Sequence, residues 1–346
     1  MDPVYFDMHV KRARILHAEE DTLDFVPSWY GERMLELGRQ RCARIGIAGP
    51  ATPGLLNDLD PARAGRDQLP ATKETGIIVN EATTNWTIIP FPNAAWARQV
   101  HPDLDPDEAL RRLGEQVAHV CRLDEEDPVA AWRERADALV GAAARLTERA
   151  FAAIRFEGEG TDLTVGLLPT SKFMAAQFET VGGIRHMPNI PSEEVFSAPD
   201  PQRTDGVVRA TKPLVVAGSI VRGLEVEFRD GRAVRIDAEE GGDVLRGYAA
   251  RDDGAARLGE IALVDREGRI GRLGTTFFDT LLDENAASHI ALGQAYSFTA
   301  GPEDQERLNR SGIHVDFMIG GDDVAVSGVT AEGDEVPVLR GGVWQI

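Results

Sequence analysis

Two histidines and four acids in the second half of the 346-residue chain have the types and spacing to hold metal cations. Within residues 189–200, Glu193 and Glu194 lie between Pro191 and Pro199, which keep the stretch extended. Successive side chains of extended chain point opposite ways, so only one of the two acids can face a given site. Glu260 follows Gly259 where a helix reads as giving way to an apolar strand, and a carboxylate at such a mouth needs a partner. Residues 282–293 carry Glu284 and His289 among small side chains. Read as a helix, they set His289 about one turn beyond Asn285 and bring Tyr296 back to the face of His289. In residues 312–321, alternation puts His314 and Asp316 on one face of a strand and Ile313, Val315 and Phe317 on the other.

Each segment also has a plain structural reading: a helix cap or solvated turn for the first, an arginine pair for Glu260, a buried helix with a hydrogen-bonded histidine for the third, and a His–Asp hydrogen bond for the fourth. Together they offer carboxylates and imidazoles without a thiolate, a donor set suited to zinc, cobalt or manganese. Carboxylates in that number point to two ions with one carboxylate shared between them. The other five of the seven histidines, His9, His17, His101, His119 and His186, sit among mixed residues without a metal-type pattern.

The elements that must position these groups fall into two halves. Up to about residue 155 the chain is helix-rich. A helix over 28–42 leads into a short buried strand over 43–50, and a second strand covers 85–90 before a helix over 94–100. Asp105-Pro106 and Asp127-Pro128 each supply an N-cap followed by proline at the first helical position. The first of these helices presents Leu110, Leu113, Val117 and Val120. The second runs to about Ala150 through Trp132, Ala136, Leu139 and Val140. After residue 155, strands and glycine turns dominate. Asp230-Gly231 and Glu332-Gly333 signal hairpins, and Val264 and Ile270 flank a third turn at Glu267-Gly268. Helices are expected near 243–257 and 285–295. The organisation is an α/β N-terminal domain, 1–155, and a β-rich α+β C-terminal domain, 156–346.

A net charge of −20 argues against non-specific binding to nucleic acid or anionic membrane, and it attracts cations and ammonium groups. The same charge also serves solubility alone. Cys42 and Cys121, on separate helical segments, form no disulfide framework, which suits a reducing compartment. The opening residues 1–7 lack the basic and apolar regions of a signal peptide, and no apolar run is long enough to span a bilayer. These features point to the cytoplasm. No glycine-rich loop ends in Lys-Ser or Lys-Thr, which disfavours a phosphoester hydrolase.

The segments N-I-P-S-E-E-V-F-S-A-P, L-G-E-I-A-L-V, L-L-D-E-N-A-A-S-H-I-A-L-G-Q-A-Y and H-V-D-F-M-I-G, in this order, resemble the signatures of the thermophilic aminopeptidase family, the aminopeptidase T and aminopeptidase S type of metallopeptidase. The resemblance covers most of the chain and is strongest from Asp162 onward. It implies two divalent ions (zinc, cobalt or manganese) between a small α/β domain and a β-rich catalytic domain, in a cytoplasmic homodimer that acts on peptides with a free N-terminus. Carried over by position, it implies Glu194, Glu260, Glu284, His289, His314 and Asp316 as metal ligands. It also implies Tyr296 as the active-site tyrosine, Glu260 or Glu284 as proton carrier, and release of apolar N-terminal residues such as leucine. The chain departs from the family by beginning inside the N-terminal domain, short of about one strand–helix–strand. That departure motivates an alternative expectation, a metal-stabilised peptide-binding protein without turnover.

Overall fold

The computed structural model describes residues 3–67, 69, 72–216 and 218–346; Met1 and Asp2, at the start of the segment read for a leader, lie outside them. The two Asp-Pro signals start the long helices. Asp105 accepts a hydrogen bond from the Asp107 N–H at 3.0 Å, and helix α1 spans Pro106–Val120. Asp127 accepts from the Ala130 N–H at 3.0 Å, and α2 spans Pro128–Arg149. In each, a side-chain oxygen satisfies a donor left free at the helix start, and proline fills a position whose N–H would have no partner. Leu113, Val117 and Val120 of α1, and Trp132, Ala136 and Leu139 of α2, are buried. Leu110 and Val140 were expected with them but are 37% and 41% exposed. Each falls one residue after a buried position, hence about 100° round the helix and off the apolar stripe.

The fold is mixed α/β with several sheets. An eight-stranded antiparallel sheet centres on the strands Ala153–Gly158, Thr161–Leu167 and Pro199–Arg209. Its hairpins turn at Asp230-Gly231 and Glu332-Gly333 as their residue types foretell. Asp230 and Gly231 both have positive φ, 49° and 77°, as a tight hairpin loop demands. The second large sheet has five strands: β1 (Met174–Ala175), β2 (Glu194–Ser197), β3 (Leu258–Val264), β4 (His289–Gly293) and β5 (His314–Met318). Their order is β5-β4-β3-β2-β1, and every neighbouring pair is antiparallel. One face of this sheet, with Val195, Ile261, Leu263, Ile290, Leu292 and Phe317, joins α2 and the eight-stranded sheet in a single apolar core. The opposite face is left for the site.

Four expectations are corrected. Residues 285–295 are not helical: α3 stops at Thr280–Glu284, and His289–Gly293 is the strand β4 between β3 and β5. A short apolar run buried on both faces carries no period that separates helix from strand, and here two neighbouring strands supply the hydrogen bonds. The helix expected over 243–257 covers only Gly242–Ala249, so Glu260 is the third residue of β3 and not at a helix–strand junction. Ile270 belongs to a short helix, Arg269–Leu273, so Val264 has no hairpin partner across Glu267-Gly268. The strand Arg44–Ala48 pairs in parallel with Trp86–Pro90, but it is not buried. Ile45 and Ile47 are 70% and 73% exposed, because among the described residues no layer covers that side of the two-stranded ribbon. No helix among the described residues is long and apolar enough to cross a membrane.

Strand β3 carries a bulge. Leu258 pairs with Leu292 and Glu260 with Ala291, which leaves Gly259 as the extra residue. A Cβ on Gly259 would sit on the carbonyl oxygens of Gly293 and Gln294. Gly259→Ala is therefore expected to cost about 1–3 kcal/mol through overpacking, seen as a lower urea midpoint with an unchanged slope.

Candidate metal centre

Side chains opposite one another in an antiparallel sheet share a face. The register pairs Val264 with Glu194, Ala262 with Phe196 and His289, Glu260 with Ala291, Ala291 with Asp316, and Gly293 with His314. Glu194, Glu260, His289, His314 and Asp316 consequently project from four adjacent strands to the same side. Glu284 arrives from the end of α3 and Tyr296 from the chain just beyond β4. All seven line one cavity of about 290 Å³. The geometry that the sequence assigned to a helix, with Tyr296 two turns beyond His289, is not what unites them. A strand followed by a turn does it.

The donors form two close groups that share one residue. Candidate ligand atoms of Glu194, Glu260 and His289 lie within 4.8 Å of one another, and so do those of Glu260, His314 and Asp316. Glu260 Oε1 is 4.0 Å from His289 Nε2, and its Oε2 is 3.4 Å from His314 Nε2. His289 Nε2 lies 3.0 Å from Glu194 Oε2, and His314 Nε2 lies 3.3 Å from Asp316 Oδ1. Each imidazole is fixed from behind: Nδ1 of His289 donates to the Ala287 carbonyl at 3.1 Å, and Nδ1 of His314 to the Gln294 carbonyl at 2.8 Å. A carbonyl only accepts, so Nδ1 carries a proton and, in the neutral imidazole, the Nε2 lone pair faces the carboxylates. The buried Oε2 of Glu194 has no aligned hydrogen-bond donor. Lone pairs aimed at lone pairs across a buried cavity fit divalent cations.

The electrostatics agree with that fit. Burial raises the pKa of Glu260, with His314 opposing and Glu194 and Asp316 adding to the rise. Burial, Asp316 and Glu194 hold Glu284 well above the ordinary carboxylate range, against His289. Burial disfavours charge on His289, but Glu194, Asp316 and Glu284 outweigh it and push the imidazole to about 10. The same contest, with Asp316 and Glu260, holds His314 well above its usual value. Without a cation, then, the site gathers protons. Burial also raises the Tyr296 phenol, which stays neutral and able to donate. The Tyr296 ring stacks on Phe298 at 5.2 Å and lies 5.5 Å from His314.

The chain matches the family described as thermophilic metalloprotease (M29) over residues 2–344. It is 42% identical to aminopeptidase T of Thermus thermophilus, an alignment that covers 99% of this chain and 86% of the relative. It is 37% identical to aminopeptidase PepS of Streptococcus thermophilus, covering 98% and 85%. The solved structure of wild-type AmpT from Thermus thermophilus superposes with a TM-score of 0.88 at 41% identity, covering 99% of this chain and 86% of that one.

Two adjacent acid pairs are resolved in opposite directions. Glu194 faces the cavity, whereas Glu193 turns back and is fully buried between Arg122 (2.9 Å) and Arg135 (2.5 Å). Arg135 also pairs with Asp265 at 3.0 Å. Glu284 faces the cavity, whereas Asp283 accepts from the Phe277 and Asp279 N–H groups and closes the start of α3. The five other histidines stay outside the cavity lining; His101 bonds Gln116 and His119 bonds Asp124. Sequence reasoning overlooked the arginine anchors and the aromatic wall of Trp86, Phe178, Phe196 and Phe298. For the wall there was a local signal, since Phe196 and Phe298 each stand two residues from a candidate site residue. The arginines, 58 and 71 positions from Glu193, left none. Arg135→Met leaves Asp265 and one oxygen of Glu193 buried without their cation. It is expected to cost about 3–5 kcal/mol of stability in denaturant unfolding.

Proposed function

This chain belongs to the thermophilic metalloprotease (M29) family and is a metal-dependent aminopeptidase, and from that premise we propose a dinuclear site that releases apolar N-terminal residues such as leucine. Glu260 carries this reading, because its two carboxylate oxygens address two different imidazoles and it belongs to both donor groups. A carboxylate so shared suits a pair of ions. Glu194, Glu260 and His289 would hold one ion and Glu260, His314 and Asp316 a second, with Glu284 as a further candidate ligand. Zinc, cobalt or manganese fits a set of oxygen and nitrogen donors without thiolate. Bound ions of this kind supply Lewis acidity, which lowers the pKa of water and polarises a carbonyl.

The protein's own groups do the rest. Glu260 or Glu284 is the carboxylate assigned to accept the proton of the attacking water and to return it to the leaving amine. The Tyr296 hydroxyl is assigned to the oxyanion that develops on the scissile carbonyl. The acidic cavity attracts the substrate's free α-ammonium group. Trp86, Phe178, Phe196 and Phe298 offer an apolar surface beside the donors, which supports a preference for an apolar first side chain. The non-catalytic peptide-binding alternative has no observation in its favour, since every candidate ligand and Tyr296 line one cavity. The same proposal includes the 1–155 and 156–346 division, with β-rich catalytic residues all beyond 155, and, from the family resemblance, a cytoplasmic homodimer.

Leu-p-nitroanilide hydrolysis is the direct test. A chelator is expected to abolish it and zinc, cobalt or manganese to restore it; no cleavage by the metal-loaded protein would end the proposal. Tyr296→Phe is expected to lower kcat by ~10²–10³, with metal content, measured by elemental analysis, unchanged.

A further inference from the structure

Asn285 stands next to Glu284 in sequence, is fully buried, and carries no metal-type donor role. Its side chain joins two segments 92 residues apart. Oδ1 accepts the Glu193 N–H at 2.6 Å, while Nδ2 donates to the Leu281 carbonyl at 3.0 Å and to Glu284 Oε1 at 3.4 Å. One amide thus holds the backbone immediately before Glu194, the last turn of α3, and the carboxylate of Glu284. The carboxylate of Glu193 is itself locked by Arg122 and Arg135, so the point that Asn285 grips is fixed to the helices behind it. We propose that Asn285 is a positioning residue that sets the distance between the Glu194 and Glu284 carboxylates, and so the affinity of the site for its cations. The inference rests on the dinuclear reading above.

The residue type follows from the three bonds. The position needs one acceptor and two donors on one planar group, which asparagine alone supplies at this length. Aspartate keeps the acceptor for Glu193 but loses both donors and sets a carboxylate against Glu284 and the Leu281 carbonyl. Alanine leaves the Glu193 N–H and the Leu281 carbonyl unpaired in a buried place. Groups that orient ligands from behind typically change metal affinity by about 10–100-fold when removed.

The test measures zinc affinity and stoichiometry by competition with a chromophoric chelator, alongside kcat and KM, in wild type, Asn285→Ala and Asn285→Asp. Leu139→Ala, in the core on α2, serves as a variant that loses stability away from the site. Zinc is expected to bind about 10–100-fold more weakly to both Asn285 variants and with unchanged affinity to folded Leu139→Ala. If Asn285→Ala does not fold, the nearly isosteric Asn285→Asp carries the test. Wild-type zinc affinity in a folded Asn285 variant overturns the positioning role. An equal loss of affinity in Leu139→Ala overturns it too, because the effect would then follow stability alone. Absence of zinc binding by the wild type overturns the dinuclear reading itself and the positioning role with it.

Discussion

Glu194, Glu260, Glu284 and Asp316 face one cavity and repel one another. At the effective dielectric constant of about 20 that suits protein sites, two like charges about 4 Å apart cost about 4 kcal/mol. With Nδ1 bonded to a backbone carbonyl, each neutral imidazole turns a lone pair, not a proton, toward these acids. Positive charge must enter, as protons or as metal ions, and the rest of the architecture keeps the donors from relaxing apart until it does.

The sheet meets most of that demand. Four neighbouring strands fix five donors through their ladders, and the other face of the same strands is sealed into the apolar core with α2. The remaining demand falls on the acids at strand and helix ends, where the backbone is less constrained. Glu194 opens β2 and Glu284 closes α3. Each is followed or preceded by a residue that is tied down: Glu193 by two arginines and an amide, Asp283 by two backbone N–H groups. Adjacent acids in this chain divide the labour, one facing the cavity and one anchoring the turn that aims it.

The N-terminal half takes part in the site as well. Ile88 exchanges backbone hydrogen bonds with Pro188 and Ile190, just ahead of β2. Asn80 accepts from both the N–H and the hydroxyl of Ser297, the residue after Tyr296. The ribbon that leaves Ile45 and Ile47 open on one side thus grips, on its other edge, the loop that leads to Glu194. Trp86 and Ile88 on the second strand of that ribbon line the cavity.

The types of the donors, their chain order, the hairpin turns at Asp230-Gly231 and Glu332-Gly333 and the starts of α1 and α2 were legible in the sequence. Each depends on local chemistry: a carboxylate or imidazole at an element end, Asp before Pro, Asp-Gly with positive φ, alternation along His314–Met318. The run around His289 was misread, because a short segment apolar on both faces satisfies helix and strand alike until neighbours are known. The bulge at Gly259 was invisible for the same reason, since it exists only against β4. The resemblance already names Glu194 and Glu284 within their adjacent pairs, whereas the arginines that hold Glu193 and the backbone N–H groups that hold Asp283 are settled only by packing. Side-chain identity is a property of the chain, whereas register, burial and the meeting of residues 58 to 92 positions apart arise only when strands and helices close on one another.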